Sequence, residues 1–185
     1  EEVLDDTYII KPDIFNDKRG YFFEKWNKEA FKKLTNLNIN FVQDNESNSQ
    51  KGVIRGLHYQ LPPKGQIKLV SVIKGSVYDV VVDLRENSKT FKKWAGLELS
   101  ESNKKQLLIP IGFAHGFKAL EDNTVVQYKV SNYWDASKEV SLIWNDHDVN
   151  IKWPEILTNE EDEFISKKDL NAKTLRQILA SGEIF

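Results

Sequence analysis

The sequence predicts a mainly β protein, a double-sheet jelly roll with a short helix flanking it toward each end. Three observations point there. Short apolar runs rich in Val, Ile and Leu recur between polar turns, at the spacing of an all-β sandwich or barrel. Helical spacing is confined to one stretch near each end. The middle of the chain, Val53 to Leu84 (VIRGLHYQLPPKGQIKLVSVIKGSVYDVVVDL), reads as three consecutive strands. About ten short strands with a helix at each end make up a jelly roll.

Taken in order, Thr7–Ile10 is a short strand, followed by Pro12 and a turn at Asp17-Lys18-Arg19-Gly20. Tyr21–Trp26 is aromatic and extended. Asn27 caps a short helix through Leu34, with Ala30, Phe31 and Leu34 on one side and the Lys and Glu residues of Lys28–Lys33 on a solvated face. Asn36–Asn40 is turn-rich, Ile39–Gln43 reads as a strand, and the polar run Gln43–Gln50 reads as a loop. The central strands are Val53–Gln60, Ile67–Ile73 and Ser76–Leu84. Pro62, Pro63 and Gly65 break the first gap, and Lys74-Gly75 makes a tighter second one. Trp94–Leu99, Lys105–Ile109, Ile111–Phe117 and Thr124–Val130 continue the pattern, with close backbone approaches expected at Gly112 and Gly116. Asn145–Asn150 is a loop, Trp153-Pro154 closes the β region, and Leu170, Leu175, Ile178 and Leu179 space a last helix over Leu170–Ala180. No repeat, low-complexity run or linker interrupts the 185 residues, so one domain over 1–185 is expected, burying about 70% of its extended-chain surface.

Composition excludes several function classes. Charged residues are frequent, but the net charge is only −2 and no basic block occurs, which argues against a nucleic-acid partner. Cysteine is absent, so there is no disulfide framework and no thiolate metal site, which fits a cytoplasmic setting. No apolar run approaches the ~18 residues of a membrane span, and no signal-peptide pattern opens the chain. The chain holds no methionine and starts at Glu1, which suggests a clipped start.

Arg55, His58 and Lys68 stand inside apolar, β-branched runs. A proton carrier and two cations built into a sheet cost desolvation energy, so they need a reason, and catalysis on an anionic substrate supplies one. Period-two alternation would send Arg55 and His58 to opposite faces. A bulge or sharp twist at Gly56 would turn both inward, and we expect that distortion.

These residues sit within a longer set of motifs: Asp17-Lys18-Arg19-Gly20, Phe41-Val42-Gln43-Asp44-Asn45, Arg55-Gly56-Leu57-His58-Tyr59-Gln60, Lys68-Leu69-Val70, Asp79–Arg85, Ile109–Phe117 and Tyr128–Tyr133. In order and spacing the chain resembles the dTDP-4-dehydrorhamnose 3,5-epimerases of rhamnose and cell-surface polysaccharide biosynthesis. The resemblance implies a cupin-type jelly roll that dimerises, uses no cofactor or metal, and inverts C3 and C5 of a nucleotide-linked 4-keto-6-deoxyglucose. It places the base on His58, the acid on Tyr128 and the aspartate partner of the histidine on Asp169. It also implies nucleotide and sugar contacts at Arg19, Glu24, Gln43, Asn45, Arg55, Lys68, His115, Glu139 and Lys168. Many relatives carry Tyr-Tyr where this chain has Tyr133-Trp134, and an indole at Trp134 can stack on a base or sugar.

The chemistry needs such a set. Protons α to a ketone leave only if the enolate charge is stabilised as it forms. A positioned base contributes ~10²–10⁴-fold, short of the ~10⁶-fold or more of typical enzymes, so a donor to the oxyanion is also required. His58 would be the base, Asp169 would hold its tautomer, and Lys68 would face the C4 oxygen, with Arg55 nearer the sugar or diphosphate. Inversion returns a proton to the opposite ring face, which Tyr128 could do from a distant strand.

Each of these residues also has a structural reading. His115 serves equally well as a satisfied core histidine, Tyr128 as a core tyrosine, and Asp169 as the N-cap of the last helix through Ser166-x-x-Asp169. His147 reads as a solvated loop residue. Two other functions compete with the epimerase. A cupin metalloenzyme would need closely spaced histidines, and the chain has no His-x-His. A non-catalytic sugar binder would gain nothing from an acid and a base on opposite faces. A single-position epimerase is the nearest variant.

Overall fold

The computed structural model describes residues 1–155 and 164–185. Among them the strands are β1 (Glu2–Leu4), β2 (Thr7–Ile10), β3 (Phe15–Asp17), β4 (Gly20–Phe22), β5 (Gln43–Ser49), β6 (Ile54–Gln60), β7 (Lys68–Lys74), β8 (Ser76–Asp83), β9 (Trp94–Ser100), β10 (Gln106–Ile109), β11 (Phe113–Ala119), β12 (Thr124–Val130) and β13 (Glu139–Ser141). Helix α1 (Lys28–Thr35) lies toward one end, and α2 (Lys167–Leu170) and α3 (Leu175–Ala180) toward the other. A six-stranded sheet runs β1-β2-β10-β7-β12-β5, a five-stranded sheet runs β13-β6-β11-β8-β9, and β3–β4 is a separate hairpin. All the ladders are antiparallel, and the two sheets pack as a jelly roll.

Alternation sorts the side chains into three layers. Val70, Val72, Leu107, Ile109 and Val126 of one sheet meet Val77, Val81, Leu99, Phe113 and Phe117 of the other, forming the core between them. The opposite face of the five-stranded sheet (Leu57, Tyr59, Val80, Val82, Ala114) is covered by Leu142, Val149, Ile151, Leu175 and Ile178. Leu69 and Leu108, on the outer face of the other sheet, are covered by Phe31 and Ile39.

The Lys74-Gly75 turn does not make a hairpin. It carries the chain from β7 in one sheet to β8 in the other, with Gly75 at φ +74°. Both strands are apolar on both faces and sit centrally, so each is covered front and back. Gly56 distorts β6 as expected. The register runs His115↔His58 but Phe117↔Arg55, which places one extra residue on β6. Gly56 has φ +117°, and a Cβ there would lie 2.6 Å from Gly116 Cα and 2.7 Å from the His115 carbonyl oxygen.

Other expectations are corrected. Residues 39–42 are not a strand, and Gln43–Gln50 is not a loop: Gln43–Ser49 is β5, paired along its whole length with β12. The last helix is not continuous over Leu170–Ala180. It is α2 and α3, broken where Lys173 exchanges backbone hydrogen bonds with Ser141 and Ile143. Thr174 restarts the helix through a capping box with Gln177. Asn27 caps α1 by accepting from the Glu29 and Ala30 amides, but Phe31 is its one buried residue, and Leu34 is 74% exposed. The strand expected over Ile111–Phe117 begins at Phe113, after Gly112 turns at φ +96°. Strands β1, β3 and β13, each three residues long, carried too little pattern to be read.

We predict that Gly56→Ala destabilises the protein by about 1–3 kcal/mol, since alanine must adopt a left-handed φ against the facing strand. Thermal unfolding measures this, and an unchanged Tm would show that the bulge accepts a side chain.

Candidate active site

At one end of the space between the sheets the inward side chains cease to be apolar, and a cavity of about 760 Å³ opens. Its volume lies in the range of small-molecule sites. His58 and Arg55 come from β6, Lys68 from β7, His115 from β11, Tyr128 from β12, and Gln43 and Asn45 from β5; Trp134, Glu139, Lys168 and Asp169 complete its walls. His58 and Tyr128 thus project from facing sheets. The bulge at Gly56 returns Arg55 to the inner face, opposite Phe117, where Nε donates to Ser49 Oγ at 3.0 Å.

His58 Nε2 lies 2.6 Å from Asp169 Oδ1. Asp169 is buried and is not an N-cap. Ser166 caps α2 by accepting from the Asp169 amide, and the Asp169 carboxylate turns to His58 and the Gly56 amide. Burial pushes the Asp169 carboxyl up, but hydrogen bonds from His58, Ser166 and Gly56 outweigh it and hold the pKa below the usual value. Lys68 is buried, and its Nζ donates to the His58 carbonyl at 3.0 Å. Burial lowers its pKa to about 8, against the upward pull of Asp79 and Glu139. Burial and the Glu139 charge raise Tyr128, against the Arg55 cation.

His115 Nε2 lies 3.0 Å from each Asp79 oxygen, and burial lowers its pKa. At the mouth, Glu139 accepts from Lys168 Nζ at 2.7 Å; burial raises its carboxyl, but Lys168, His58 and the Trp134 side chain bring it below its ordinary value. Gln43 steadies the loop beside it, donating to Asn45 Oδ1 at 2.8 Å and accepting from the Trp134 amide at 3.1 Å. The Trp134 side chain is 58% exposed over the opening.

Two expected site residues lie elsewhere. Arg19 sits on the β3–β4 hairpin, ion-paired with Asp17, and Glu24 accepts from Asn27 Nδ2 at 3.1 Å beside α1. Neither lines this cavity. His147 is exposed, as expected of a loop residue. One cluster of three carboxylates that could share a cation, Glu2, Asp5 and Asp6, occurs among the described residues, at the β1–β2 turn outside the cavity. Sequence reasoning passed over Asp79, although an acidic residue between Val77 and Val81 is the same kind of signal that singled out Lys68.

A profile of the dTDP-4-dehydrorhamnose 3,5-epimerases matches residues 1–177. The chain belongs to this family. An epimerase of that name from Methanothermobacter thermautotrophicus is 47% identical over 174 residues, covering 94% of this chain and 92% of the relative. The crystal structure of the Elizabethkingia anophelis epimerase superposes with a TM-score of 0.88 at 48% identity, over 96% of this chain and 95% of that one. A Legionella pneumophila epimerase, solved in complex with dTDP-4-keto-L-rhamnose, superposes with a TM-score of 0.90 at 42% identity, over 98% and 93% of the two chains. In this chain the fold gathers an imidazole, a buried lysine and a phenol around one cavity.

We predict that His58→Ala raises the Asp169 pKa, because the carboxyl loses a hydrogen bond that opposes its burial. Carboxyl ¹³C NMR titration of the variant against the parent reads this; no upward shift would mean that the pair is not coupled.

Proposed function

We propose that this cavity inverts C3 and C5 of dTDP-4-dehydro-6-deoxyglucose, giving dTDP-4-dehydrorhamnose. The observation that carries the reading is His58 on one sheet, hydrogen-bonded to Asp169 of α2 and facing Tyr128 on the other sheet, with the buried Lys68 on the same cavity. Family membership and the product-like ligand of the Legionella relative agree with it. The Nε2 of His58 is engaged by Asp169, so its other nitrogen, Nδ1, is the base. It takes the proton from C3 or C5, and the C–H electrons delocalise onto O4 as an enolate. The Lys68 ammonium stabilises that charge, and the Tyr128 hydroxyl returns a proton on the opposite ring face. Asp169 stabilises the imidazolium and is never itself the proton carrier. Arg55, Gln43 and Asn45 hold the sugar and diphosphate. Trp134 stacks at the mouth, and Glu139 and Lys168 border it.

The test is solvent deuterium entering C3 and C5 of the 4-keto sugar, followed by NMR. Both positions should exchange, and His58→Ala should slow exchange at each by about 10²–10⁴-fold. Exchange at one carbon only would reduce the activity to a single-position epimerase, and none at all would defeat the reading. Only as the ammonium does Lys68 carry the charge that stabilises the enolate, so the rate should fall as pH rises through about 8. A rate that holds above that pH would remove Lys68 from the role.

The contacts expected of Arg19 and Glu24 call for a second copy of the chain. The β3–β4 hairpin leaves Phe15, Tyr21 and Phe22 more than half exposed and lies away from its own cavity. We therefore assign the functional unit as a homodimer in which this hairpin approaches the partner's cavity. Mixing Arg19→Ala with His58→Ala protein should recover activity through dimers with one intact site. No recovery, from a mixture shown to exchange subunits, would put Arg19 outside the site.

A further inference from the structure

Asp79 has no part in the reaction scheme, yet it is fully buried in β8, on the inner face shared by Val77 and Val81. An ionised carboxylate survives there only if it is well bonded. Both of its oxygens lie 3.0 Å from His115 Nε2. A carboxylate only accepts, so Nε2 carries the hydrogen, and the neutral ring then has a lone pair on Nδ1. Nδ1 makes no hydrogen bond to any described residue. The sealed polar side-chain atoms without a partner, among the described residues, are Thr7 Oγ1 and Ser47 Oγ. The His115 ring lines the cavity, and Nδ1 is the nitrogen that Asp79 does not engage.

His58, directly across the β6–β11 pair, repeats this arrangement with Asp169. The two pairs differ in access to water: the His58 side chain is 29% exposed and the His115 side chain 7%. Burial lowers the His115 pKa, opposed by Asp79 from β8 and reinforced by Lys68 from β7 and His58 from β6. Lys118, on its own strand, donates to the Pro154 carbonyl. Of two adjacent imidazoles, one can take up a proton and the other is suited to accepting a hydrogen bond while staying neutral.

We propose that Asp79 is a positioning residue that fixes His115 as the Nε2–H tautomer, so that Nδ1 accepts a hydrogen bond from a free hydroxyl of the bound sugar ring. This rests on the sugar-binding reading of the cavity. It assigns the site to sugars that present a hydroxyl donor next to the reacting ketone.

Long-range ¹H–¹⁵N NMR of the unliganded wild-type protein tests the tautomer, with His115→Gln to assign the signals. At about pH 8 the His115 Nδ1 should be unprotonated and Nε2 protonated. An Nδ1–H tautomer, or an imidazolium at that pH, would overturn the proposal. That result stands whether or not the protein epimerises the sugar. In Asp79→Asn the amide can either accept from or donate to Nε2, so the tautomer is released. KM should then rise about 10–100-fold, with kcat held within about threefold. A fall in kcat at unchanged KM would mark a merely structural aspartate and overturn the proposal. The wild-type NMR measurement decides the matter if that variant does not fold.

Discussion

The 2.6 Å contact between His58 and Asp169 sets what much of the chain must do. Its two members lie 111 residues apart, one in a central strand and one in a single turn of helix near the end of the chain. Three arrangements bring them together. The bulge at Gly56 lets β6 present both Arg55 and His58 to the cavity. The Ile54–Ile165 bridge and the Ser166 cap fix the path into α2. Leu175 and Ile178 anchor the rest of the segment under the five-stranded sheet. The outer core is therefore more than a source of stability: it delivers a carboxylate to the far side of a strand.

Along each inward strand face the same positions serve two purposes. Val70 and Val72 follow Lys68, and Val77 and Val81 flank Asp79, so dry packing at one end gives way to ionisable groups at the other. Burying one ion in such a place costs several kcal/mol unless others compensate. Lys68 is balanced by Asp79 and Glu139 and hydrogen-bonded to the His58 carbonyl, but not completely. The remaining imbalance appears as its lowered pKa. An ammonium poised near neutrality is a better donor to a developing oxyanion than one whose proton is held far more tightly.

The strands with strong apolar alternation were legible from sequence, and so was the Gly56 distortion, because an inward cation and an inward imidazole three residues apart contradict a regular strand. The inward-facing Lys68 and His58 were legible for the same reason. The pairing of strands was not. A Lys-Gly turn is as compatible with a crossing between sheets as with a hairpin, and only the burial of both faces of β7 and β8 distinguishes them. Asp169 was ambiguous because Ser-x-x-Asp describes a helix start whether the aspartate side chain turns back to the cap or away from it. Here Ser166 accepts from the Asp169 amide, and the Asp169 carboxylate reaches a histidine that no local pattern could reveal.

The misreading of β5 has the same origin as the cavity. Gln43–Ser49 has no apolar residue, so alternation gave no strand, yet it pairs residue for residue with β12 from Gln43↔Val130 to Ser49↔Thr124. Its burial still alternates: Gln43, Asn45 and Ser47 are half-buried, while Asp44, Glu46 and Asn48 are exposed. An edge strand that walls a polar ligand site has polar neighbours on both sides, so period two persists in burial but disappears from hydropathy. Sequence patterning reads the core and falls silent at the site. A polar run flanked by strand-forming segments is thus as strong a pointer to a binding wall as it is to a loop.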